Sequence, residues 1–131
     1  MTRHKMIWCT TPLRLKHHYG FCPSEKAWNA LAKSSRRDLG SYPCRDKAAI
    51  TTLFQRTSDK TRTCIVTVSE RPPVETVGLL VHEAMHVWRD IREGIGEEFP
   101  SSEFEAYMMQ NIIHELLEAY QKTRGPLFTR R

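Results

Sequence analysis

The sequence predicts an α+β fold, with a small antiparallel sheet set between one helix and a pair of longer helices. Two β-branched and apolar runs, residues 48–56 and 63–69, flank the polar turn Thr57–Arg62, which is the pattern of a β-hairpin. Apolar residues recur at helical spacing once before this hairpin and twice after it. Proline and glycine punctuate the boundaries, at Pro23, Gly40, Pro72-Pro73, Gly94, Gly96, Pro100 and Gly125-Pro126. With 131 residues, 40% of them hydrophobic, the chain is expected to form a single domain over residues 1–131 around one core.

Residues 1–22 read as an irregular N-terminal segment, with Ile7-Trp8-Cys9 as a short extended piece. His17 and His18 are adjacent, and neighbours on an extended chain point to opposite sides, so they are assigned to the surface rather than to one ion. Pro23-Ser24-Glu25 opens the first helix, with Pro in its first turn and an acid near the positive end of the helix dipole. Ala27, Trp28, Leu31 and Ala32 form its apolar stripe, with Trp28 in the core, and Gly40 is the stop signal after about Arg37 or Leu39. Residues 42–46 connect to the hairpin, whose second strand ends at Arg71-Pro72-Pro73 because proline cannot continue the ladder. The next helix is expected over about residues 74–91, with Val77, Val81, Ala84, Trp88 and Ile91 as its buried stripe. The last helix starts at Phe99-Pro100-Ser101-Ser102 and runs to about Lys122, its core stripe being Met109, Ile112, Ile113, Leu116 and Tyr120. Residues 125–131 form a basic tail.

Lys and Arg number 20 against 15 Asp and Glu, giving a net charge of +5. Part of the excess sits at the termini and part in Lys33, Arg36 and Arg37. This reads as a solvated surface, because nucleic-acid binding needs a reading motif beside such a patch and none is present. No apolar run is long enough for a signal peptide or a membrane span, so a cytoplasmic, membrane-free protein is expected. Cys9, Cys22, Cys44 and Cys64 include no CxxC pair and are expected to be buried free thiols.

The helix after the hairpin carries His82-Glu83-Ala84-Met85-His86, an HExxH pattern. In a chain of this composition the pattern arises by chance only ~0.02 times. Residues i and i+4 of a helix share a face, so both imidazoles can bind one metal ion, and Glu83 sits beside them to take a proton from the metal's water. At 100° per residue His82 and His86 lie ~160° either way from Ala84, opposite the buried stripe. A catalytic zinc takes three protein ligands. Glu105, seven residues before Ile112, shares the inward stripe of the last helix and is the preferred third. Glu103 falls on the other side, His114 faces outward, and Glu97 and Glu98 stay open by phase. Ser102-x-x-Glu105 also has the form of a capping box, which would turn Glu105 back to its own helix unless Ser101 caps instead.

The stretch Leu79–Trp88, followed by Ser102-Glu103-Phe104-Glu105-Ala106-Tyr107, resembles the gluzincin group of zincin metallopeptidases, in which HExxH is followed by a Glu on a later helix. It is also similar to small phage and prophage proteins of metallopeptidase type, and Glu103–Ala106 is similar to the E-x-E-A segment of the ImmA/IrrE-type peptidases. The resemblance covers about residues 62–120. It implies a minimal zincin-like domain with an HExxH helix and a C-terminal ligand helix. His82, His86 and Glu105 would hold Zn2+, and Glu83 would be the general base. Met109 stands where thermolysin-like members place an Asp that orients a zinc histidine, and a transition-state stabiliser is not assigned, with His17, His18, Tyr19 and Tyr42 as alternatives.

The expected activity is zinc-dependent hydrolysis of a peptide or protein substrate, laid along a strand of the hairpin, with 63–69 as the strand nearest the cleft. Two rivals stand beside it: a non-catalytic zincin-fold protein, phage-encoded and acting by contact with a host factor, and a basic nucleic-acid-associated protein using Lys33, Arg36 and Arg37.

Overall fold

The structure, a computed structural model, describes residues 3–10 and 17–129. Their elements run β1 (Ile7–Cys9), β2 (His17–Phe21), α1 (Glu25–Ser35), β3 (Ala49–Gln55), β4 (Arg62–Val68), α2 (Pro73–Gly94) and α3 (Ser102–Arg124). A 3-10 turn at Pro43–Arg45 precedes β3. The class is α+β, and the hairpin and the three helices lie within a few residues of where the periodicity puts them.

The sheet differs from the expectation. Its order is β1-β2-β4-β3. The β3–β4 hairpin is antiparallel, from Ala49 opposite Val68 to Gln55 opposite Arg62, but β2 runs parallel to β4, with His17 opposite Arg62 and Phe21 opposite Val66. The sheet is therefore mixed rather than antiparallel, and the N-terminal segment expected to be irregular supplies two of its strands. The alternation in β2 was hidden by its histidines: Tyr19 and Phe21 face the core, and His17, assigned above to the surface, is buried in line with them. Gly20 lets β1 close on β2, since a Cβ there would lie 2.8 Å from Trp8 Cε3.

One face of the sheet presents Tyr19, Phe21, Cys64, Val66 and Val68 to Leu80, Val87, Trp88 and Ile91 of α2 and Ile112 and Leu116 of α3. The other face packs Cys22 and Ile65 against Ala27 and Trp28 of α1, with Phe54 and Tyr42 around them. Trp28 is core, as expected, and its indole N–H donates to Gly40 O at 3.0 Å, so no polar atom is stranded by the burial.

Pro73 starts α2 in the first turn, where a missing N–H costs nothing. The buried side of α2 is rotated from the expected stripe: Leu80 and Val87 are buried, Val81 is 38% exposed, and Glu83 and Asp90 go inward with the apolar residues. Ser101 caps α3 by accepting from Phe104 N at 3.2 Å, which leaves the Glu105 side chain free of the cap. Ile112, Leu116 and Tyr120 are buried as expected, while Met109 and Ile113 are partly so. Arg130 and Arg131 of the basic tail lie outside the described residues. No helix among the described residues is long and apolar enough to cross a membrane.

Candidate metal and catalytic site

β4 is hydrogen-bonded on both sides, to β2 and β3, so the expected cleft strand is an interior one. β3 is the terminal strand instead, and its side chains Ala49, Thr51 and Leu53 border α2. Between them and His82, Glu83, His86, Arg89 and Glu93 runs an open groove of about 510 Å³, with Lys47 at its rim.

His82 and His86 are both exposed on this groove, and their Nε2 atoms converge to 3.3 Å. Two imidazoles bound to one tetrahedral zinc at about 2.0–2.1 Å stand about 3.3–3.4 Å apart, so the pair has the dimensions of two zinc ligands. Glu83 is buried beneath them at 4% exposure. Its Oε1 accepts from Thr51 Oγ1 at 2.9 Å, and its Oε2 lies 4.0 Å from His82 Nε2. The hydroxyl of the edge strand thus fixes one carboxylate oxygen and leaves the other turned toward the imidazole side, the orientation a general base needs.

Glu105 does not join this group. Its Oε2 accepts from the indole N–H of Trp88 at 2.8 Å and lies 3.6 Å from Arg92 NH1. The helical phase of Glu105 is inward, as read, but inward on α3 means toward Trp88, which lies ~120° around α2 from His82. Glu103, Glu97 and Glu98 are exposed, with the last two on a separate groove beside Arg92. His114 faces outward and pairs with Glu118 at 3.1 Å.

A second constellation lies one turn below His86, where α2 meets the middle of the sheet. Asp90 Oδ2 is 2.5 Å from His17 Nε2 and 3.3 Å from Cys64 Sγ, and Cys64 Sγ is 3.7 Å from His17 Nε2. All three residues are buried, and they form the one trio of His, Cys, Asp or Glu donor atoms within 4.8 Å of one another among the described residues. Such a group of nitrogen, sulfur and oxygen donors can hold a metal ion. Arg62 NH2 is 3.3 Å from Asp90 Oδ1. Burial alone would raise the Asp90 carboxyl, but hydrogen bonds from His17 and Cys64 and the charges of His17 and Arg62 outweigh it, and its pKa is lowered.

Four alternatives considered for stabilising a transition state are placed elsewhere. His17 belongs to the buried trio, Tyr19 is wholly buried, Tyr42 packs edge-on to Trp28 beyond the sheet, and His18 alternates outward on β2. Lys47 and Arg89 are the cations on the groove. Thr51, Asp90 and Cys64 were not recognised from the sequence. Asp90 carried a usable signal, because it continues the His82, His86 series at i+4; Thr51 and Cys64 carried none, since a strand's partners are not set locally.

Comparison of the chain with models of protein families, with curated proteins and with solved structures gives no match.

Proposed function

We propose that this protein is a zinc-dependent peptidase of zincin type, with His82 and His86 as metal ligands and Glu83 as general base. The observation that carries the reading is the 3.3 Å convergence of the two imidazole nitrogens above a buried carboxylate, in a groove that opens along an edge strand. β3 is the terminal strand of the sheet among the described residues, and its outer edge would offer backbone donors and acceptors to an extended peptide or protein segment, which is why a peptide is the substrate class. Zinc, when bound, polarises a carbonyl and makes water a better nucleophile at neutral pH. Glu83 takes the proton of the attacking water and returns it to the leaving amine. Arg89 and Lys47 line the groove and would meet negative charge developing there. Glu105 would be the third ligand in this reading and would have to give up Trp88 and Arg92 to serve it. Four buried free cysteines fit a reducing cytoplasm.

Metal analysis with turnover of an unstructured peptide library tests the proposal. One zinc lost on His82→Ala, together with zinc retained but hydrolysis abolished on Glu83→Gln, is the expected pair of results. Full activity in Glu83→Gln, or protein that refuses zinc at the imidazoles, would sink it. A non-catalytic, metal-holding role is the second reading, favoured by the engagement of Glu105 with Trp88; it is the outcome if zinc binds at His82 and His86 and no peptide is cleaved.

A further inference from the structure

We propose that His17, Cys64 and Asp90 form a second metal site, for a borderline divalent ion such as zinc, buried beneath the groove and independent of the His82–His86 pair. The three donors come from β2, β4 and α2, so an ion there ties the two central strands to α2. β2 and β4 run parallel with Tyr19 opposite Cys64, which sets His17 two residues along from Cys64 on the same sheet face, and Asp90 descends between them from α2. The donor atoms are spaced 2.5, 3.3 and 3.7 Å apart. For a triangle of this size, a point about 2.0–2.3 Å from every corner lies about 1 Å off its plane, and those distances are the bond lengths zinc makes to nitrogen, oxygen and sulfur. Binding widens the short His17–Asp90 separation, displaces the proton that His17 Nε2 donates to Asp90 and releases the thiol proton to solvent.

The surroundings fit a ligand set better than a plain hydrogen-bonded cluster. Asp90 divides its oxygens, Oδ1 to Arg62 and Oδ2 to the trio, as a monodentate carboxylate with an outer partner does. A thiol is a weak donor and gains little from sharing Oδ2 with an imidazole. A cavity of about 280 Å³, lined by His17, Arg62, Ile91 and Gly94, opens beside the trio and supplies a path and room for a water as fourth ligand. The mixed N, S, O set selects zinc or cobalt(II) over calcium and magnesium, which take oxygen alone.

Cobalt(II) titration of the chelator-treated full chain reads this site directly, because a thiolate ligand gives a charge-transfer absorption that imidazole and carboxylate do not. The band is expected in the wild type and in His82→Ala/His86→Ala, and is expected to vanish in Cys64→Ser. His17→Gln, which leaves Cys64 and the strand packing in place, is expected to weaken the band's apparent affinity by at least about tenfold. A wild type that takes up cobalt without the band overturns the proposal even if Cys64→Ser fails to fold, and so does a band that survives Cys64→Ser or disappears with His82 and His86. Since the band reports a thiolate, failure of the peptidase reading leaves this result untouched.

Discussion

The indole N–H of Trp88 donates to the Glu105 carboxylate at 2.8 Å, and Arg92 lies 3.6 Å from the same oxygen. This bond joins α2 to α3 on the flank away from the two exposed histidines. If Glu105 is to serve the metal, the bond has to be exchanged for it, and the observed affinity is reduced by what the bond is worth. A hydrogen bond to a charged group contributes about 1.5–3 kcal/mol, less here because Glu105 is partly exposed, so about 1.4 kcal/mol is a fair measure. Trp88→Phe is therefore expected to tighten zinc binding by roughly tenfold while lowering thermal stability. Zinc affinity unchanged in Trp88→Phe and in Glu105→Gln would assign Glu105 to helix docking alone.

Thr51 donates to Glu83, so in the proposed peptidase it would act on turnover through that carboxylate. Its hydroxyl is held 2.9 Å from Oε1 of a carboxylate that is almost wholly buried. Thr51→Val keeps the shape and removes the donor, leaving that oxygen unmatched at a cost of about 1–2 kcal/mol. Peptide turnover is expected to fall about tenfold with KM and zinc content little changed, as measured by steady-state kinetics beside metal analysis. A change in KM alone would place Thr51 in substrate binding instead.

Asp90 gives the folded state an acid-side dependence. Its pKa is depressed below the ordinary value of 3.8, so the folded form holds the carboxylate more firmly than the unfolded chain does. The stability this contributes is complete above pH ~4 and is lost as pH falls through the lowered folded value. Asp90→Asn leaves Arg62 without its buried partner and is expected to cost about 3 kcal/mol near neutrality in chelator-treated protein. The gap from wild type should narrow below pH ~4 in denaturant titrations. A gap that is constant down to pH 2 would contradict this.

The four thiols should be inert in the native protein. Burial, aided by the Glu115 charge, pushes Cys9 up to about 12, and burial pushes Cys22 up to about 11 and raises Cys44 and Cys64 as well. Only the thiolate reacts, so at pH 8 a disulfide reagent is expected to modify Cys9, Cys22 and Cys64 at least about a hundredfold more slowly than a free cysteine, and Cys44 more slowly as well. All four should react at once in denaturant. A rapidly modified native thiol would mark an opening of the core near that strand.

What was legible in the sequence was whatever repeats locally. The apolar stripes of Ala27-Trp28, of Ala84, Trp88 and Ile91, and of Ile112 to Tyr120 follow the helical period, and the β3–β4 hairpin is closed by a short polar turn. The pairing of His82 with His86 is likewise a property of one helix, and their 3.3 Å approach follows from i, i+4 geometry. Glu83 as the companion of the pair follows from the same helix, but its burial does not, because the stripe expected to be buried ran through Val81 and the helix turns Glu83 inward instead.

The tertiary structure decided the rest. Parallel pairing of β2 with β4 joins segments far apart in the chain, so no local period announces it; burial of Tyr19 and Phe21 against α2 and α3 selects it. That pairing puts β4 inside the sheet and leaves β3 as the edge beside the histidines. It also carries His17, which the sequence placed at the surface, under α2 to meet Cys64 and Asp90. The inward phase of Glu105 was readable, but which residue it meets depends on how α3 packs on α2, and there it meets Trp88. Phase around a helix is set by the chain's own geometry, whereas the identity of the neighbour is set by packing between elements.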